Sequence, residues 1–195
     1  MRDVLFLKPP KVAGTSIAEA LRLKSLTSTV GLKEELEEEN RWVTFGHLDY
    51  PRLVREGFVS AEFDESAYKF SWVRNPYDRA VSLWSKNWPG LAFDEFCRRI
   101  DSCIWDIGLA NAFRNSLCNP QVRWLHGTPL NFLGRFESLV DDFERVCAEL
   151  GVIGGKLGHH QRGEHAPYES YYTNETVDII RKVYAEDFFW FGYET

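Results

Sequence analysis

The sequence predicts an α/β fold: one domain spanning residues 1–195, with a mainly parallel central sheet flanked by helices. Short apolar runs rich in β-branched and aromatic residues recur along the chain, and segments of helical periodicity alternate with them. That alternation is the pattern of βαβ units. Internal repeats, low-complexity tracts and linker-like stretches are lacking, so the whole length reads as one unit.

Residues 3–8 carry Val4, Leu5, Phe6 and Leu7 and stop at Pro9-Pro10, which suits a buried strand of a parallel sheet. Residues 14–23 place Ile17, Ala20 and Leu21 at helical spacing, with Thr15 and Ser16 as first-turn residues. Residues 33–40 are a charge run, read as a solvated helix face or loop. Residues 42–45 and 68–73 are the second and third strands, ending at Gly46-His47 and at Arg74. Pro76 then opens a helix whose apolar side holds Ala80, Val81, Leu83 and Trp84. Another helix is expected over 93–100 and a fourth strand over 131–136, followed by a helix through Leu139, Phe143, Val146, Cys147 and Leu150. Residues 151–167 are rich in Gly and His without periodicity, hence a loop, and 173–184 are a last amphipathic helix. The aromatic tail 188–193 is expected to pack back on the core.

A net charge of −6 argues against a nucleic-acid partner, although net charge leaves room for one basic cleft. Cys97, Cys103, Cys118 and Cys147 are scattered without a CxxC, so they read as free, mostly buried thiols rather than a disulfide frame or a zinc site. The N-terminal apolar run is too short for a signal peptide, and no run reaches bilayer-spanning length; the expected compartment is the cytoplasm.

The chemistry concentrates in Lys8-Pro-Pro-Lys-Val-Ala-Gly-Thr-Ser16, between the first strand and the first helix. Ligands of open α/β sheets bind there, at strand carboxyl ends. Backbone N–H groups at a helix start, a glycine and a neighbouring lysine form an anion cradle. The order is Lys-x-x-Gly-Thr-Ser rather than the GxxxxGK[ST] of an ATP-binding loop, which counts against a nucleoside triphosphatase.

Together with Phe70-Ser-Trp-Val-Arg-Asn-Pro-Tyr-Asp-Arg-Ala-Val-Ser82, this loop resembles the two cofactor motifs of sulfotransferases that use 3′-phosphoadenosine-5′-phosphosulfate (PAPS). The likeness is to the carbohydrate (heparan- and chondroitin-type) branch, in a compact, soluble, bacterial style. Phe45-Gly-His-Leu48, Gly134-Arg-Phe-Glu-Ser-Leu139 with Asp142-Phe143, and Tyr184-x-x-Asp-Phe-x-x-Phe-Gly-Tyr193 are similar to further family segments in the family's order. The resemblance implies a P-loop-NTPase-like sulfotransferase fold. It implies sulfuryl transfer from PAPS to an acceptor hydroxyl, with PAP as product and no metal.

By that resemblance Lys11, Val12, Ala13, Gly14, Thr15 and Ser16 hold the 5′-phosphosulfate, and Arg74 and Ser82 hold the 3′-phosphate. Arg162 is expected in a late basic loop over the same phosphate. Arg74 suits the role chemically, since its rigid fork of donors matches phosphate oxygens. Lys11 is expected to stabilise the departing group, and His47 to act as general base because imidazole titrates near neutrality; Asp49 is the weaker alternative. Asp78 and Arg79 are read as structural, pairing along the helix surface, and Arg135 and Glu137 as a structural pair beside the site. His159, His160 and His165 suit acceptor contacts or metal binding equally. Trp42, Trp84, Trp88 and Trp105 are read as core residues before stacking faces for sugar rings. The acceptor is expected to be a saccharide, with no nucleic-acid or membrane partner. Two alternatives are a P-loop-type small-molecule kinase and a catalytically inactive nucleotide-binding module.

Overall fold

The computed structural model describes residues 3–25, 42–45, 48–105 (the backbone alone for 101–105), 117–158 and 166–195. The sheet has five parallel strands: β1 (Val4–Leu7), β2 (Lys24–Ser25), β3 (Trp42–Thr44), β4 (Tyr68–Val73) and β5 (Phe132–Arg135), in the order β2-β3-β1-β4-β5. The helices are α1 (Gly14–Ala20), α2 (Tyr50–Arg55), α3 (Ala61–Ser66), α4 (Pro76–Asn87), α5 (Phe93–Trp105), α6 (Gln121–Leu125), α7 (Leu139–Leu150), α8 (Asn174–Val183) and α9 (Ala185–Phe191).

β1 lies at the centre, with Phe6 registered against Thr44 on one side and Phe70 on the other. Its side chains alternate between two cores, as the pleat requires. Leu5 and Leu7 join Val43, Leu53 and Phe63 on one face, while Val4 and Phe6 join Phe70, Trp72 and Val146 on the other. The Phe6 and Phe70 rings stack at 4.8 Å and Trp72 meets both edge-on. Gly134 of β5 is glycine because Trp72 lies against it: a Cβ there would stand 2.4 Å from the indole. A third core packs α4, α5, α8 and α9 around Leu83, Phe96, Ile180 and Tyr184.

Local signals decide the helix ends. Asn75 Oδ1 accepts from the Tyr77 N–H at 2.9 Å, with Pro76 at the first position of α4. Thr173 and Thr176 cap α8 reciprocally, and Gly151 in the left-handed region ends α7.

The strand expected over 68–73 and the helices expected from Pro76 and Leu139 match β4, α4 and α7. β2, α2, α3 and α6 were not expected from periodicity, because elements of two to six residues are shorter than the window in which a period registers. The aromatic tail forms α9 and packs through Phe188, but Phe189 and Trp190 stay 78% and 66% exposed. Cys97, Cys118 and Cys147 are buried free thiols. The charge run 33–40 lies outside the described residues. Among the described residues, no helix is long and apolar enough to cross a membrane.

Candidate active site

Chain connections run from β1 to its β3 side and from β4 to its β5 side, so a crevice opens at the carboxyl ends of β1 and β4. Open α/β sheets bind ligands at such a reversal. Both sequence motifs end there.

The loop from β1 to α1 is held in an unusual shape. Lys11 (φ 72°) and Ala13 (φ 64°) both adopt left-handed backbone, which costs of order 1 kcal/mol each for residues with a Cβ. Three contacts sustain it. Val12 between them is buried in the core, Arg79 Nε donates to the Pro10 carbonyl at 3.1 Å, and Arg74 Nη1 donates to the Lys11 carbonyl at 3.2 Å. Gly14 is required here, since a Cβ would stand 2.1 Å from Cγ of Lys8. Ala13 precedes α1 and has no side chain with which to cap its first turn.

Arg74 follows β4 directly and is 7% exposed. Its Nε donates to Asp78 Oδ2 at 2.7 Å, and its guanidinium carbon lies 3.9 Å from the centre of the Phe136 ring. Gln121 brackets its peptide: the Arg74 N–H donates to Oε1 at 2.9 Å, and Nε2 donates to the Arg74 carbonyl at 2.9 Å.

Lys11, Gly14, Thr15, Ser16, Arg74 and Ser82 line one cavity of about 560 Å³. Lys8, Lys86 and Asn87 line it too, as do Phe136 and Glu137. Four cationic side chains (Lys8, Lys11, Arg74, Lys86) thus face two carboxylates, Glu137 and Asp141. Glu137 is already engaged by the Asn75 N–H at 2.6 Å and the Tyr193 hydroxyl at 3.0 Å. A chain of net charge −6 therefore carries a locally cationic cleft, an anion site by simple electrostatics. Burial lowers the Lys11 ammonium to a pKa of about 8, and the neighbouring charges of Arg74 and Lys86 push the same way. Burial also lowers Lys8, against the opposing pull of Glu19.

The structure brings the two motifs to one place. Val12 belongs to the loop, yet its side chain is in the core, so only its backbone can serve a ligand. His47, Arg162 and the histidines at 159, 160 and 165 lie outside the described residues. Asp49, the alternative base, caps α2, its Oδ1 accepting from the Arg52 N–H at 2.9 Å.

The expected Asp78–Arg79 surface pair is not formed. Asp78 pairs with Arg74 four residues back. Arg79 is fully buried and donates to the carbonyls of Pro10, Leu117 and Asn119, because its position on α4 faces inward. Arg135 and Glu137 do not bond each other; they meet through Tyr193, whose ring lies 4.7 Å from the Arg135 guanidinium and whose hydroxyl reaches Glu137. Trp84 and Trp88 pack against the third core and Trp42 against the second, in keeping with the core reading. The side chain of Trp105 lies outside the described residues.

Lys8, Lys86 and Gln121 were not assigned from sequence. Lys86 was within reach, four residues after Ser82 and so on the same helix face. Lys8 begins the quoted loop, but its direction depends on Gly14 beneath it. Gln121 had no local signal.

A family model described as "Sulfotransferase family" matches residues 2–194. No curated protein matches the sequence. Among solved structures, mouse sulfotransferase SULT7A1 complexed with PAP matches with a TM-score of 0.62 at 16% identity, over 96% of this chain and 84% of that one. At that identity the likeness concerns the fold.

Proposed function

The chain belongs to the sulfotransferase family, and on that premise we propose that it transfers the sulfuryl group of PAPS to the hydroxyl of a saccharide. The observation that carries the proposal is the convergence of Lys11, Gly14, Thr15 and Ser16 with Arg74 and Ser82 on one cationic cavity. Its volume of about 560 Å³ lies within the usual range of about 300–1,000 Å³ for small-molecule and cofactor sites. PAPS needs two anion subsites, and residues of both motifs line the one cavity. The β1–α1 loop suits the 5′-phosphosulfate, while Arg74 and Ser82 suit the 3′-phosphate. The PAP in the solved structure of the mouse sulfotransferase supports the same ligand class.

In the proposed reaction the acceptor oxygen forms a bond to sulfur as the bond from sulfur to the 5′-phosphate oxygen breaks. PAP leaves with the electron pair, and the acceptor proton goes to a base. Lys11 is the proposed stabiliser of charge developing on the bridging oxygen, its side chain lining the cavity from a loop of left-handed backbone. His47 is the proposed base, on the resemblance of Phe45-Gly-His-Leu48 to the family segment. The saccharide acceptor rests on the likeness of both motifs to the carbohydrate branch. Lys-x-x-Gly-Thr-Ser in place of GK[ST] disfavours the kinase alternative.

Calorimetric titration with PAP in EDTA, with ATP and ADP as controls, tests the proposal. Metal-independent PAP binding in preference to both controls, weakened sharply by Arg74→Ala, supports it. Folded protein that does not bind PAP overturns it.

A further inference from the structure

We propose that Gln121 is a positioning residue for Arg74 and that Asp187 of α9 sets the direction in which its amide points; the ligand side of this inference rests on Arg74 binding the 3′-phosphate. β4 ends at Val73, registered against Arg135, so Arg74 is the first residue beyond the ladder. At that point the Gln121 carboxamide takes the part of a neighbouring strand. It accepts from the Arg74 N–H and donates to the Arg74 carbonyl, each at 2.9 Å. Both backbone groups of one residue are thereby held by one side chain that is itself fully buried.

A carboxamide flipped end for end would set N–H against N–H and carbonyl against carbonyl. Asp187 prevents the flip. Its Oδ2 lies 3.3 Å from Gln121 Nε2 and also accepts from the Gln121 N–H at 2.8 Å, while Oδ1 accepts from the Val122 N–H at 2.8 Å. Every one of these contacts is donated to Asp187, so a flipped amide would turn its oxygen against a buried carboxylate. The segment before Gln121 is strapped from the same side. Tyr184 donates to the Cys118 carbonyl at 2.9 Å, and Arg79 Nη2 donates to the carbonyls of Leu117 and Asn119 at 2.8 and 2.9 Å. The corner of α8 and α9 thus fixes Gln121, and Gln121 fixes the peptide from which the Arg74 side chain departs.

Gln121 does not line the cavity, whereas Arg74 does. With Nε on Asp78 and Nη1 on the Lys11 carbonyl, Nη2 has no protein partner among the described residues. A rotation of the Arg74 peptide would carry that nitrogen off its target, so any effect of Gln121 on a ligand must pass through Arg74.

The test compares PAP with adenosine 5′-phosphate, which lacks the 3′-phosphate, on wild type, Gln121→Glu, Gln121→Met, Arg74→Ala and the Gln121→Glu/Arg74→Ala double variant. Loss of one well-placed charged hydrogen bond lowers PAP affinity about tenfold in Gln121→Glu, and adenosine 5′-phosphate affinity about twofold or less. On the Arg74→Ala background the Gln121→Glu change has little further effect on PAP. Parallel losses for both ligands, or an undiminished loss in the double variant, would overturn the positioning role. If Gln121→Glu does not fold, the neutral Gln121→Met carries the same comparisons. Should wild type bind neither nucleotide, the sulfotransferase reading fails, and amide hydrogen exchange decides the inference without ligand. Protection lost at the Arg74 N–H of Gln121→Met, with the β4 amides unchanged, supports it; unchanged protection at Arg74 overturns it.

Discussion

Arg74 and Asp78 form an ion pair of 2.7 Å, Nε to Oδ2, with both side chains largely withdrawn from solvent at 8% and 17% exposure. The pair joins the end of β4 to the first turn of α4; with Nε on Asp78 and Nη1 on the Lys11 carbonyl, Nη2 is the guanidinium nitrogen without a protein partner among the described residues.

Removing either partner leaves a poorly solvated charge. Asp78→Ala and Arg74→Ala are each expected to cost roughly 2 kcal/mol of stability, within the range for breaking a buried charged hydrogen bond. The double variant should cost less than the sum, with a coupling of about 1 kcal/mol in a denaturant-unfolding cycle. Additive losses would show that the pair is not a unit.

Lys11 is expected to make PAP binding pH-dependent. Its ammonium titrates at about 8 in the folded protein, against 10.5 for an ordinary lysine. PAP affinity should therefore hold to about pH 8 and then fall by up to about tenfold per unit as the free site loses its proton. The phosphate groups, with second pKa values near 6, do not titrate in this range. Stability moves the other way: between pH 8 and 10.5 the unfolded chain holds the proton the fold has shed, so stability rises with pH there. Calorimetry and thermal melts from pH 7 to 10 read both signs, and Lys11→Ala should flatten both profiles.

Lys86 is a tuning charge on Lys11. Its positive charge helps lower the Lys11 pKa, after burial and the charge of Arg74. Lys86→Met should move the alkaline fall in PAP affinity to higher pH while weakening binding at pH 7 about threefold to tenfold, as expected for one phosphate-facing charge. An unchanged midpoint would separate Lys86 from Lys11.

Two glycines test close packing at different places. Gly14→Ala forces a Cβ into Cγ of Lys8, and Gly134→Ala forces one into the indole of Trp72. Both are expected to lose about 1–3 kcal/mol of stability, the usual cost of overpacking. Only Gly14→Ala should also abolish PAP binding in protein that remains folded, because only it deforms the anion loop.

Much of the fold was legible because its signals are local. The run 68–73 is a strand by its own composition, Pro76 with Asn75 starts α4 by capping chemistry, and the period from Leu139 to Leu150 makes α7. The short elements α2, α3 and α6 were illegible for the opposite reason: six residues or fewer carry no period, and tertiary contacts hold them in place. Arg79 shows the same limit for a side chain. A charged residue in a helix reads as solvated, and only the carbonyls of Pro10, Leu117 and Asn119, brought from elsewhere, make its burial tolerable.

The sequence by itself determined the two motifs at residues 8–16 and 70–82, the strands that carry them and the family to which the chain belongs. Tertiary structure decided that β1 lies beside β4, and hence that Lys11 and Arg74 share a cavity. It also decided that Gln121 and Asp187, 47 and 113 positions beyond Arg74, stand behind that arginine. The physical reason is separation along the chain. Capping, periodicity and loop chemistry act within a few residues, whereas these pairings exist only after the sheet has chosen its strand order and the helices have packed upon it.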